Sequence, residues 1–261
     1  MNVLSVHKDF QNVRKLTFCY LCGRDFGADD VVDGDHVPPS CVFNARDRVN
    51  VLKLTTHRKC NGAFSVEDKK AGQLIALRRR ENTSSARDDA LKFGHYPGLG
   101  VALENLNVDA AIWRWIKGFH AALYRQPLVG DEYSIQTPFP RADKNNGLVT
   151  VRPIRQQHLL TVESIKRNRA SGNLDAIIAN NGKLRFECVW CLADDQVSWF
   201  CMFALDIYDW KDLGSHSNAI PARGCAGVYL LPDKTAPEGA ATGRDGPVLI
   251  PNVDVLDAFA S

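Results

Sequence analysis

The sequence predicts an α+β fold, with a small N-terminal unit over residues 1–85 and a mixed α+β domain with an antiparallel sheet over residues 86–261. Three observations predict this division. Two closely spaced cysteine and histidine pairs lie in the first third, apolar residues recur at helical spacing in several segments, and two long apolar segments follow one another near the end of the chain. The polar stretch ENTSSARD, residues 81–88, is typical of a linker between the two parts.

The N-terminal unit is predicted to contain two short strands and a helix. Residues 17–22 and 49–56 have the composition of strands, and they flank a long loop rich in Asp, Gly and Pro. Ser65 followed by Asp68 is typical of a capping box and predicts a helix over about residues 65–80.

The second part is predicted to combine two helices with several strands. Asp109 can cap a helix that runs to about residue 126, because apolar residues at 112, 116, 119 and 123 share one helical face. A second helix is expected near 159–170. The expected strands are LRFECVWCLA and VSWFCMFALDIY, an antiparallel pair joined by a short turn, and then GVYLLPD and PVLIPNV.

Composition is that of an ordinary soluble globular protein, with 45% hydrophobic and 24% charged residues. No apolar run approaches the roughly 18–20 residues that span a membrane, and the N-terminus lacks the layout of a signal peptide. We therefore expect a cytoplasmic protein with no membrane partner. Residues 1–85 hold 14 Lys and Arg against 10 Asp and Glu, while the whole chain has a net charge of +2, so the excess of positive charge lies in the first third.

One constellation points to a metal ion. Cys19 and Cys22 form one pair with two residues between its members, and His57 and Cys60 form another. Three thiolates and one imidazole make a closed structural zinc set, and Gly23 supplies the backbone freedom that such a knuckle needs. The alternative is a set of buried, unliganded thiols beside an incidental histidine; two correctly spaced pairs in one unit favour zinc.

A second constellation lies between these pairs, in the segment DGDHVPP over residues 33–39. The side chains of Asp35 and His36 point to opposite sides of an extended segment, so they can serve different tasks: Asp35 can bind a hard cation and His36 can accept a proton from water. Asn61 directly follows the proposed ligand Cys60. The alternative is an ordinary loop in which Asp35 caps a turn. The flanking pairs of proposed zinc ligands favour a catalytic site.

These segments together resemble the HNH endonuclease family. The resemblance rests on CYLCG, DHVPP and HRKCNGAFSVEDK, within residues 17–75, under a third of the chain. It implies a ββα-metal fold, two strands and a helix that grip one divalent ion.

The resemblance also implies the roles of the residues. His36 would be the general base, and Asp35 and Asn61 would hold a catalytic Mg²⁺ or Mn²⁺ beside the structural zinc. The implied activity is hydrolysis of phosphodiester bonds in DNA, with RNA left open, and the implied setting is defence against phage. Basic residues would contact phosphates; these are Arg58, Lys59, Arg78, Arg79 and Arg80.

The sequence departs from the family pattern at three positions. His57 stands where the family usually has cysteine, and Asn61 where it often has histidine. Asn50 is the candidate for the asparagine that braces the loop of the base, two residues earlier than the common spacing. Glu67 and Asp68 could reach the ion, but the capping of a helix is the favoured interpretation for both.

Cys188 and Cys191 repeat the spacing of the first pair but lie in a predicted strand. Residues three apart on a strand point to opposite faces, so a role in the core is favoured over metal binding.

Two classes of function remain after this reasoning. The leading hypothesis is a metal-dependent endonuclease, and the alternative is a non-catalytic zinc-knuckle module that binds nucleic acid or protein. Residues 86–261 carry no recognisable chemistry and would serve target selection, dimerisation or the binding of a partner protein.

Overall fold

The computed structural model describes residues 2–78, 92–96, 100–104, 108–136, 141–142, 149–150, 156–193, 195–208 and 225–243. The fold is α+β, as predicted. The helices are α1 (His7–Val13), α2 (Arg58–Gly62), α3 (Ser65–Arg78), α4 (Val108–Tyr124) and α5 (Gln156–Ala170).

Twelve strands lie in the described part of the chain. They are β1 (Val3–Leu4), β2 (Val32–His36), β3 (Lys53–His57), β4 (Lys92–Tyr96), β5 (Gly100–Glu104), β6 (Tyr133–Gln136), β7 (Arg141–Ala142), β8 (Val149–Thr150), β9 (Asp175–Ala179), β10 (Leu184–Leu192), β11 (Trp199–Ile207) and β12 (Cys225–Leu230). The predicted strand PVLIPNV falls outside the described residues.

A six-stranded mixed sheet forms the larger part of the molecule, in the order β1-β9-β10-β11-β12-β6. Neighbouring strands in this sheet pair antiparallel, except for β1 and β9, which pair parallel. The predicted pair β10 and β11 is confirmed, in a register that sets Leu184 opposite Ile207. Cys188 and Cys191 are both buried, in two different hydrophobic clusters, as expected for residues three apart on one strand.

The N-terminal part contains a ββα unit. β2 and β3 pair antiparallel, with Asp35 opposite Leu54, and α2 follows β3 directly. β3 begins at Lys53, later than predicted, because Asn50 has a left-handed backbone with φ of 53°. The strand predicted over residues 17–22 is wrong, since this segment turns back sharply and makes only an isolated bridge from Phe18 to Asp25.

One hydrophobic core extends from the ββα unit to the large sheet. Val37 and Leu54 belong to the same cluster of buried residues as Phe119 on α4 and Phe186 on β10. α4 lies in the middle of this core, which brings its side chains to both parts of the chain. The proposed boundary at residue 85 lies outside the described residues and stays a prediction. No described helix has the length and hydrophobicity needed to cross a membrane.

Candidate functional site

The four residues predicted as zinc ligands come together in space. The ligand atoms of Cys19, Cys22, His57 and Cys60 all lie within 4.8 Å of one another. Nδ1 of His57 lies 3.4 Å from the sulfur of Cys22 and 4.0 Å from that of Cys60. Ligands around a tetrahedral zinc ion are separated by about 3.5–3.8 Å, given the usual zinc–sulfur and zinc–nitrogen distances. The cluster can therefore hold a metal ion such as zinc.

The surroundings orient these ligands. The Nε2 atom of His57 lies 3.2 Å from a carboxylate oxygen of Asp30, which leaves Nδ1 free to face the sulfurs. This is the arrangement in which a carboxylate orients a metal-binding histidine. The knuckle closes where the backbone N–H of Gly23 donates to the carbonyl of Cys19, and Gly23 has a φ of 78°, a conformation that favours glycine.

The thiols of the cluster cannot all ionise easily without a cation. Burial raises the pKa of Cys22, but hydrogen bonds with Arg24 and His57 outweigh it and lower the pKa to about 6. Burial and the charge of Cys19 raise the pKa of Cys60 to about 12. A bound metal ion would remove this conflict, because it stabilises neighbouring thiolates together.

Asp35 points into the protein, where it meets an arginine that the sequence did not indicate. Its Oδ2 atom accepts hydrogen bonds from the hydroxyl of Tyr20 and from Nη2 of Arg114, on α4. The same Nη2 donates to Oδ1 of Asn61 at 3.0 Å, and Nη1 donates to the carboxylate of Asp68. Asp35 and Asn61 are thus brought together as predicted, with the guanidinium of Arg114 between them.

This arrangement does not fit a divalent ion held by Asp35 and Asn61. The carboxylate of Asp35 and the amide oxygen of Asn61, the two expected ligands, already accept hydrogen bonds from the guanidinium of Arg114, a residue that is 2% exposed. Asp68 takes part as a partner of Arg114, beyond the helix-capping role favoured from the sequence. The close approach of α4 depends on Gly118, because a Cβ atom there would lie 2.6 Å from Cγ1 of Val37.

His36 faces the other side of β2, as the alternation along a strand predicts. It is half-buried in an open cleft with a volume of about 230 Å³. Arg14, Arg48 and Lys53 also line this cleft, and no acidic residue is among its nine lining residues. The cleft also contains a second imidazole, that of His7, and three cations beside these two rings make a cleft that attracts anions.

The cleft also keeps the imidazole neutral. Burial lowers the pKa of His36, and the positive charge of Lys53 lowers it further, against the opposing effect of Asp35. Lys53 is the direct partner of His36 across the two strands. A neutral imidazole can accept a proton near neutral pH, which is the property that a general base needs.

Of the basic residues predicted to contact phosphate, Arg58 and Lys59 are not among those that line the cleft of His36. Arg58 makes an exposed ion pair with Asp33 at 2.9 Å, and Lys59 is exposed on α2. Arg78 ends α3, and residues 79 and 80 lie outside the described residues. Asn50 does line the cleft, so the predicted bracing asparagine lies close to the proposed base.

Comparison with protein-family models, with curated proteins and with solved structures finds no match to this chain. The resemblance to HNH endonucleases therefore rests on the motif residues.

Proposed function

We propose that this protein is an endonuclease that hydrolyses phosphodiester bonds in DNA at the cleft of His36. The observation that carries the proposal is the position of a neutral histidine among Arg14, Arg48 and Lys53, on the first strand of a ββα unit next to a Cys/His cluster that can hold a metal ion. A phosphodiester is an anion, and a cleft with three cations and no carboxylate suits it.

The chemistry assigned to the cleft is an attack by water on phosphorus. His36 takes a proton from the water, the new phosphorus–oxygen bond forms, and the bond to the leaving oxygen breaks with proton uptake from solvent. Arg14, Arg48 and Lys53 line the cleft and would neutralise the phosphate and the charge that develops on its oxygens. The zinc ion would hold the unit together and take no part in the reaction.

A catalytic Mg²⁺ or Mn²⁺ at Asp35 and Asn61 is implied by the resemblance, but the hydrogen bonds of Arg114 to both residues argue against it.

The same hydrogen bonds favour a second candidate function, a zinc module that binds nucleic acid without cutting it. In that case the cleft would bind the backbone of the nucleic acid, and His36 would only be one of its contacts.

The experiment that separates these functions is a cleavage and binding assay on one zinc-loaded preparation. Supercoiled plasmid, linear duplex, single-stranded DNA and RNA are each tested with and without added Mg²⁺ or Mn²⁺. The proposed function predicts nicked plasmid. Binding of DNA by the cleft with no cleavage of any substrate under any condition would reject the nuclease and support the binding module.

A further inference from the structure

The guanidinium of Arg114 lies where the family resemblance implies a divalent ion. Its donors reach three different acceptors: the carboxylate of Asp35, the amide oxygen of Asn61 and the carboxylate of Asp68. Two of these acceptors are the oxygens expected to bind the ion. The third, Asp68, is a further buried carboxylate on α3.

Arg114 is held in this position by more than its hydrogen bonds. It belongs to α4, whose apolar residues lie in the core, and its Cζ atom lies 5.3 Å from the centre of the Phe64 ring. Gly118, one turn further along α4, allows the helix to approach Val37 closely. The planar guanidinium suits a role as a bridge between several oxygens, which a point charge such as an ammonium group fills less well.

A divalent ion and this guanidinium compete for the same place. The ion would need the Oδ2 atom of Asp35 and the Oδ1 atom of Asn61, and both already accept from Nη2 of Arg114. Two cations that share these oxygens would lie within a few ångströms of each other in a buried environment, where repulsion between charges is strong. The presence of Arg114 therefore disfavours the binding of a metal ion.

We propose that Arg114 is a built-in cation that takes the place of the divalent ion, so that the wild-type protein binds neither Mg²⁺ nor Mn²⁺ at Asp35 and Asn61. The resemblance to HNH endonucleases implies a positive charge supplied by a divalent ion from solution, and here the chain itself supplies that charge. The inference deepens the proposed function, because it makes the cleft of His36 independent of a divalent ion. It concerns metal binding, however, and can be tested whether or not the protein cuts DNA.

The test measures Mn²⁺ binding to the zinc-loaded full chain by electron paramagnetic resonance, which reports free Mn²⁺. Arg114→Met removes the guanidinium and keeps much of its volume. Lys117→Met is the matched control, because Lys117 lies on the same helix but pairs with Asp131. We expect Arg114→Met to bind Mn²⁺ at least roughly tenfold more tightly than the wild type, since hard cations prefer carboxylate and amide oxygens. Lys117→Met should bind Mn²⁺ as weakly as the wild type.

A second substitution identifies the site of any Mn²⁺ that is gained. Combining Asp35→Asn with Arg114→Met should abolish the tighter binding. The wild-type titration decides the matter even if Arg114→Met does not fold: saturable binding of one Mn²⁺ by the wild type, lost in Asn61→Ala, would overturn the proposal. That result would leave the nuclease function intact, whereas absence of DNA cleavage would reject the nuclease and leave the assignment of Arg114 intact.

Discussion

Arg114 donates a hydrogen bond to the carboxylate of Asp35, across 79 positions of the sequence. This contact joins α4 to the strand that carries His36, so the long helix of the core and the ββα unit support each other. Asp35 therefore anchors β2 from inside the protein, while His36 faces the cleft on the other side. The two neighbouring residues have different surroundings, and of the two only His36 lines the cleft.

The buried hydrogen bond from Tyr20 to Asp35 should contribute measurably to stability. Tyr20→Phe removes the donor and leaves the carboxylate with one partner fewer, which should lower the free energy of unfolding by about 1–3 kcal/mol. Urea unfolding of both proteins measures the difference. Tyr133→Phe is a control of the same chemical size, on a ring that stacks on Trp113. Equal losses in the two variants would show that the Asp35 contact is not specially stabilising.

Loss of one cluster cysteine should release the metal ion. We expect the wild-type protein to contain one zinc ion per chain and Cys22→Ser to retain much less, with a lower melting temperature, because binding of a structural zinc contributes to folding. Cys41→Ser is the matched control, since Cys41 lies outside the cluster and its thiol contacts the backbone carbonyl of Asp68. Metal analysis by mass spectrometry and thermal unfolding provide the two readouts. Full zinc content in Cys22→Ser would contradict the assignment.

His120 should make the stability of the protein depend on pH. Burial lowers the pKa of His120 from 6.5 to about 3, so between these values the unfolded chain binds a proton that the folded protein does not. Stability conferred by the neutral ring is therefore present above pH 6.5 and is lost as the pH falls, by up to about 1.4 kcal/mol per pH unit. His120→Gln should remove this contribution and flatten the dependence. Unfolding curves of the wild type and the variant at several pH values give the two slopes, and identical slopes would refute the expectation.

The sequence predicted those features that depend on neighbours along the chain. The spacing of Cys19, Cys22, His57 and Cys60 was sufficient to predict their cluster, because the two members of each pair are close neighbours along the chain. The long apolar segments of β10 and β11 were recognised as a pair because a short turn joins them.

Contacts between segments that are distant in the sequence could not be predicted from local patterns. Arg114 is one residue of an amphipathic helix, and nothing in its local pattern indicates partners 53 and 79 positions earlier. β1 and β6 have two and four residues, too few for a periodic pattern, although they form the edges of the large sheet. The composition of residues 17–22 predicts a strand where the structure has a knuckle, because Phe, Tyr and Leu suit both.

The rate of DNA cleavage tests the proposed role of His36 as general base most directly. The measurement compares single-turnover nicking of plasmid by wild type, His36→Ala and the control Lys117→Met, with thermal unfolding of each protein as a check on folding. We expect that His36→Ala stays folded and cuts about 10²–10⁴-fold more slowly, that added imidazole restores part of the rate, and that Lys117→Met cuts like the wild type. Equal rates for the wild type and a folded His36→Ala would contradict the role of His36 as general base.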